Sequence, residues 1–198
     1  MKIGIIGISS LTMELAFRSA RQGHTVTVYN PKGNNLIRDA LEKFGPTATT
    51  GTLEQASSAD IILLFIPKDD LENVLNQLPD VSGKIIIHTS GLIFDPQTLL
   101  SGITNAMTYK ITASLLPQAH VVKLFHPVDL QDKNDVRNKD NKEQIFFIAD
   151  HRASKNYVKN FLKQLDFSPV DLSGRIHLQN KGLNLDSIFH SSARRLDN

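Results

Sequence analysis

The chain has no cysteine. Disulfides, thiolate nucleophiles, iron–sulfur clusters and cysteine-ligated zinc are therefore excluded. It has little excess charge: 22 basic and 20 acidic side chains leave a formal net charge of +2, which builds no nucleic-acid surface. No apolar run approaches the roughly 20 residues that span a bilayer. The first apolar segment starts at residue 2, so the expectation is a cytoplasmic chain without a signal peptide or a membrane partner. Its histidines show no paired ligand spacing, and no metal site is expected. What remains, 40% apolar and 21% charged side chains over 198 residues, suits one globular domain spanning 1–198.

Two missing glycines matter more. Lys2 to Ile8 (KIGIIGI) reads as a short apolar strand, and a helical run with Leu11, Leu15 and Ala16 on one face follows it. Gly23-His24 breaks that run, and Thr25 to Tyr29 (TVTVY) alternates as a second strand. Strand, tight turn, helix and strand within about thirty residues form the first unit of a Rossmann-type domain, whose turn is normally G-x-G-x-x-G. Here the turn is Gly7-Ile8-Ser9-Ser10-Leu11-Thr12. Gly7 keeps the tight exit from the strand. Ser9 adds a Cβ where backbone would approach a pyrophosphate, but its hydroxyl can itself donate to one. Thr12 stands where a glycine lets helix and strand pack closely, so a small outward push of the helix is expected. The helix N-terminus still offers free N–H groups to an anion. Dinucleotide binding and a dinucleotide-shaped domain that has lost its ligand are both open at this point.

The alternation of strand and helix continues. Helices are expected at Leu36–Phe44, Leu53–Ser57, Leu71–Leu78, Thr108–Leu116 and Ala153–Leu165, the last with Tyr157, Phe161 and Leu165 on its buried side. Strands are expected at Ala48–Thr50, Ala59–Ile66, Lys84–His88, His120–Phe125, Gln144–Ala149 and Ser168–Asp171. Their near-continuous apolar character suits parallel strands covered on both faces. The fold class is α/β, a doubly wound, mostly parallel sheet with helices on both faces. Residues 129–143 read as a polar surface loop, and 175–198 as a C-terminal tail with weak helical character at Ile188–Leu196.

The second strand ends without a carboxylate: Val28-Tyr29 runs into Asn30-Pro31-Lys32. NAD sites place an acid there for the ribose hydroxyl, whereas NADP sites avoid it and supply a cation. Asn30 and Lys32 therefore point to NADP (NADPH), the alternative being that Asn30-Pro31-Lys32-Gly33 is only a good turn.

Several segments together resemble the F420-dependent NADP oxidoreductase-like family, which also supplies the cytosolic domain of the STEAP metalloreductases. These are Met1–Gly7 (MKIGIIG), Gly23–Asn30 (GHTVTVYN), Ala59–Pro67 (ADIILLFIP), Gly83–His88 (GKIIIH), Leu115–Phe125 (LLPQAHVVKLF), Phe147–Asp150 (FIAD) and Leu165–Asp171 (LDFSPVD). The His88-Thr89-Ser90-Gly91 and His126-Pro127 pairs are more similar to a related group that includes ketopantoate and pyrroline-carboxylate reductases. The family resemblance implies hydride transfer between NADPH and F420, with FMN or FAD as the other acceptors in view. Such transfer depends mainly on holding two rings in contact.

Ligands of doubly wound sheets bind beyond the carboxyl ends of the strands. That rule selects Gly7, Ile8, Ser9, Ser10, Leu11 and Thr12 after the first strand, Asn30 and Lys32 after the second, and Phe65, Ile66 and Pro67 after the fourth. Further along it selects His88, Thr89 and Ser90, then His126 and Pro127. His88 and His126 are the ionisable groups of this set that suit proton donation to a hydride acceptor. Their structural alternatives are a strand end bonded to a backbone carbonyl and the start of a turn. Ser9 and Ser10 fail the nucleophile-elbow pattern, because the second glycine is absent. The expected function is a flavin or deazaflavin reductase using NADPH. The rivals are a non-catalytic nucleotide-binding or interaction protein, and a small-molecule dehydrogenase completed by dimerisation through the 175–198 tail.

Overall fold

The computed structural model describes residues 1–67, 70–89, 109–126 and 140–174. The strands are β1 (Lys2–Ile6), β2 (Thr25–Tyr29), β3 (Ala48–Thr50), β4 (Ile61–Leu64), β5 (Ile85–Thr89), β6 (His120–Phe125), β7 (Gln144–Ala149) and β8 (Ser168–Asp171). They form an eight-stranded sheet in the order β3-β2-β1-β4-β5-β6-β7-β8. β3 through β6 run parallel; β7 is antiparallel to β6, and β8 parallel to β7. β2 lies on one side of β1 and β4 on the other. The chain therefore reverses direction across the sheet at β1, which opens a crevice above the carboxyl ends of β1 and β4.

Helices cover both faces. α1 (Ser10–Arg21), α2 (Asn35–Glu42) and α6 (Arg152–Gln164) bury Leu15, Ile37, Leu41, Val158 and Phe161 against Ile3, Ile5, Val28 and Leu63. The opposite face carries α3 (Leu53–Ser57), α4 (Leu71–Asn76) and the helical residues 109–115 (α5), with Ala56, Leu71, Leu75 and Tyr109 against Ile62, Leu64, Ile86 and Val121. Burial on both faces is the physical reason these strands are apolar without alternation. β1 also shows why it tolerates no side chain at Gly4, since a Cβ there would lie 1.8 Å from the carbonyl oxygen of Ala56 on α3.

Three expectations change. β1 stops at Ile6 rather than Ile8, because Gly7 adopts φ 85°, which turns the chain out of the sheet. In α6 the inward side is Ser154, Val158, Phe161 and Leu162, with Leu165 just beyond; Tyr157 is 44% exposed and its hydroxyl donates to Met1 Sδ at 3.1 Å. Of the expected i, i+4, i+8 set, Phe161 and Leu165 are buried and Tyr157 is not. The 129–143 segment does not end as a surface loop, because Glu143 is buried. Residues 127–139, 175–198 and the first residue of the helix expected at Thr108 lie outside the described residues, as do Ser90 and Pro127.

Candidate functional site

The turn after β1 supplies the anion-facing part of the site. Gly7 donates its N–H to Tyr29 O and stands so close to β4 that a Cβ would lie 1.7 Å from Phe65 O. Ser9 is the N-cap of α1 and forms a capping box with Thr12. Thr12 N–H donates to Ser9 Oγ at 3.1 Å, and Ser9 N–H donates to Thr12 Oγ1 at 2.8 Å. Thr12 is fully buried and also donates to Ser9 O at 3.1 Å. It does not push the helix off the sheet, since Leu15 and Ala16 one turn later are wholly buried. The two replaced glycines have thus become a self-contained cap. What the cap leaves over are the N–H groups of Ser10 and Leu11, which meet no acceptor among the described residues. They are the first two helical N–H groups, at the positive end of the helix dipole.

Beside this turn lies a cavity of about 290 Å³. The turn after β1 contributes Gly7 and Ile8 to its wall, the turn after β2 Asn30, Pro31 and Lys32, and the segment after β4 Phe65, Ile66 and Pro67. α4 closes it with Asp70, Asn73 and Val74, which the sequence reading did not include. Ser9, Ser10, Leu11 and Thr12 belong to the adjoining turn and helix start.

Asn30 has a different task from the one its position suggests. Its carboxamide accepts from Lys32 N–H at 3.2 Å and donates to Gly33 O at 2.8 Å, while its own N–H goes to Asn34 Oδ1 at 2.9 Å. The side chain that looked like a ribose ligand is consumed by the turn it builds. Its effect is to hold the exposed Lys32 at the cavity rim.

At the ends of β5 and β6 a second group of side chains gathers. His88 and Lys123 are register partners on adjacent parallel strands and point to the same face. Both are buried: His88 is 2% exposed and Lys123 0%. His88 Nδ1 lies 2.7 Å from Thr112 Oγ1 on α5 and 3.5 Å from Lys123 Nζ. Burial, with Lys123 as a lesser cause, pushes the His88 imidazole down to about 3, and burial pushes the Lys123 ammonium down to about 7. His88 was expected as an ionisable histidine suited to donating a proton to a hydride acceptor. It is instead held neutral, chiefly by its burial and secondarily by the neighbouring Lys123. Its structural alternative is also corrected, since its partner is a side-chain hydroxyl and not a backbone carbonyl. Thr89, expected to line the ligand edge, is 1% exposed and donates to Leu64 O at 3.3 Å, tying β5 to β4.

His126 sits in contrasting surroundings. Its Nε2 is 2.5 Å from Glu143 Oε1, and Glu143 Oε2 accepts from Arg18 Nη2 at 2.6 Å. Arg18 is further fixed by Glu14, by Leu165 O and by stacking 4.0 Å over the Phe167 ring. His126 is therefore more than a turn opener: a buried carboxylate orients it. Nothing in the polar run before β7 distinguished Glu143 from its neighbours. Lys123 had a signal, a charge in the middle of the apolar strand HVVKLF, that was read only as part of the strand.

Elsewhere, His120 and His151 stack with centroids 4.1 Å apart at the other edge of β6. Among the described residues no three His, Asp or Glu side chains gather as metal ligands. No described helix is long and apolar enough to cross a membrane.

A parallel sheet that reverses at β1, with a glycine turn, an uncapped pair of helix N–H groups and a cavity at the switch point, defines a Rossmann-type dinucleotide-binding fold. Within that class the chain matches, over residues 2–91, the family of NADP oxidoreductases that depend on coenzyme F420. The match takes in β1 through β5 and stops before the Leu115–Phe125 segment. No curated protein matches the chain in sequence. Among solved structures, a hypothetical protein, SMa0349 from Sinorhizobium meliloti, is 25% identical with a TM-score of 0.67, covering 87% of this chain and 85% of its own. A candidate F420-dependent NADP reductase from Arthrobacter sp. FB24 is 18% identical with a TM-score of 0.62, covering 87% and 84%. A reductive aminase from Aspergillus terreus, solved with NADPH4, cyclohexanone and allyl amine, is 18% identical with a TM-score of 0.62. That likeness covers 97% of this chain but 62% of the aminase, so the aminase is much the longer protein. At 18% identity these likenesses carry the fold.

Proposed function

We propose that this protein is an oxidoreductase that holds NADPH in the crevice over β1, β2 and β4 and delivers its hydride to a flavin or deazaflavin at the carboxyl ends of β5 and β6. The observation that carries the reading is the pairing of two unclaimed N–H groups, on Ser10 and Leu11, with a cavity walled by Gly7, Lys32 and Phe65–Pro67. A pyrophosphate fits the N–H groups. Lys32, with no acid at the end of β2, suits a 2′-phosphate better than a free ribose hydroxyl. Gly7 lets the turn pass against Phe65, where a Cβ would lie 1.7 Å from the carbonyl oxygen. When bound, NADPH supplies the hydride; the protein contributes position and the exclusion of water.

The test is purified protein with NADPH and, separately, FMN, FAD and F420, followed at the NADPH absorbance. Turnover with at least one acceptor supports the reading, and binding of NADPH without turnover of any would remove it. A second reading, a small-molecule dehydrogenase completed by a second copy, is favoured by one observation: the chain spans only 62% of the reductive aminase it resembles in fold. Turnover of a carbonyl or imine substrate, at a rate that rises with association of the protein, would favour it over the first.

A further inference from the structure

The least expected group in this structure is Lys123. It is wholly buried, yet no carboxylate accompanies it among the described residues. Among the described residues its single hydrogen-bond contact is His88 Nδ1 at 3.5 Å, and the other N–H bonds of an ammonium meet no acceptor there. An apolar side chain of similar length would fill the same space without that cost. The described surroundings add no compensating charge. β7 sets Ile148 opposite Lys123, and β4 sets Leu64 beside His88. α5 brings Thr112 and Tyr109; the Tyr109 hydroxyl is committed to Asp150 at 2.8 Å, and burial with that bond pushes its ionisation up, out of reach. Lys110 on α5 and Glu72 on α4 are exposed. The group of this cluster that titrates in the neutral range is therefore Lys123, and beside it His88 is a neutral imidazole with two ring nitrogens to pass a proton between.

His88 stands near the carboxyl end of β5, on the side where sheets of this type bind their ligands, and Lys123 lies beside it on β6. His88 is the penultimate residue of β5, and its second ring nitrogen, Nε2, bonds to no described group. We propose that Lys123 is a buried proton store that passes a proton through His88 to the hydride acceptor, which makes His88 the group that touches the acceptor and Lys123 its positioning and reloading partner. The inference rests on the hydride-transfer reading above. In the step, the acceptor takes a hydride at one atom and the proton of His88 Nε2–H at another. His88 Nδ1 takes a proton from the Lys123 ammonium as Nε2–H breaks, so the ring exchanges tautomers and stays neutral throughout. Lys123 is left as the free amine and regains its proton from water. Thr112, whose hydroxyl shares Nδ1, keeps the ring in this orientation between turnovers.

The experiment combines nuclear magnetic resonance of histidine-labelled protein with single-turnover kinetics of wild type, Lys123→Met and His88→Gln. In the ligand-free protein, His88 is expected to stay neutral from pH 5 to 9, with its Nδ1 signal shifting as Lys123 titrates near neutral pH and no such shift in Lys123→Met. In turnover, Lys123→Met is expected to lose at least about tenfold in the hydride-transfer rate, with an altered pH profile and unchanged NADPH affinity. A histidine signal blind to Lys123, or a Lys123→Met variant with the wild-type rate and pH profile, overturns the proposal alone. Absence of turnover in wild type, with every acceptor, overturns the hydride-transfer reading and the proposal with it.

Discussion

The two halves of the sheet edge are built from different chemistry. Around β1, β2 and β4 the site is made of backbone, small polar groups and apolar walls: Gly7, Ser9, Thr12, Asn30, Phe65, Ile66 and Pro67. Its hydrogen bonds close upon themselves, and Lys32 is the charged side chain the sequence singled out there. Around β5, β6 and β7 the strand ends carry the proton-active groups, His88 with Lys123 and His126 with Glu143 and Arg18. In the proposed reaction the first half holds the anionic cofactor, and in the second His88 with Lys123 passes the proton. Even within the second half the two histidines differ. His88 has a buried base beside it and no carboxylate, whereas His126 has a buried carboxylate braced by a guanidinium.

Changes that break this division should have separable effects. The largest is expected for Gly7→Ala. The added Cβ collides with Phe65 O, and φ of 85° disfavours any side chain, so a stability loss of about 2–4 kcal/mol in urea unfolding, with loss of NADPH binding, is the expected outcome. Lys123→Met should act with the opposite sign. The Lys123 pKa is about 7 folded against 10.5 in the open chain, so the buried charge weighs on the folded state in full below pH 7 and fades as pH rises toward 10.5. The variant is therefore expected to be more stable than wild type at pH 6, by about 1–4 kcal/mol, with the gain vanishing near pH 10. His88 adds an acid limit: protons bind the unfolded ring below 6.5 but the folded ring only near 3, so wild-type stability should fall across that window.

On the other side of β6, Glu143→Ala leaves Arg18 and His126 without their shared carboxylate. A loss of about 1–3 kcal/mol in thermal or urea unfolding, with NADPH affinity unchanged, is expected. Lys32→Ala should sharpen the contrast from the binding half. It should leave stability unaltered and weaken NADPH by about tenfold, worth about 1.4 kcal/mol, without affecting NADH. Equal losses for both nucleotides in a calorimetric titration would remove Lys32 from the role given to it.

Most of the fold was legible because both halves of each βα unit declare themselves locally. Apolar runs such as IILL in β4 mark buried parallel strands, and Gly7, Gly23 and Gly45 mark the exits. The strand ends also named most of the cavity: Gly7, Ile8, Asn30, Lys32, Phe65, Ile66 and Pro67 do converge on it. What could not be read was the use each polar group finds in three dimensions. Ser9 and Thr12 look like damage to a glycine motif until their reciprocal bonds make them a helix cap. Asn30 looks like a ligand until its amide closes its own turn. Glu143 and Arg18 lie 125 residues apart, and no local pattern announces their pairing. Lys123 was visible as a charge in an apolar strand, but its isolation from any carboxylate is a property of the packed sheet.

The cap made by Ser9 and Thr12 is expected to preserve a dinucleotide site instead of ending it. This is tested most directly by titrating the wild-type protein with NADPH and with NADH, followed by calorimetry. NADPH is expected to bind in the micromolar range, with NADH markedly weaker. Binding of neither nucleotide would contradict it, and tighter binding of NADH would contradict the role assigned to Lys32.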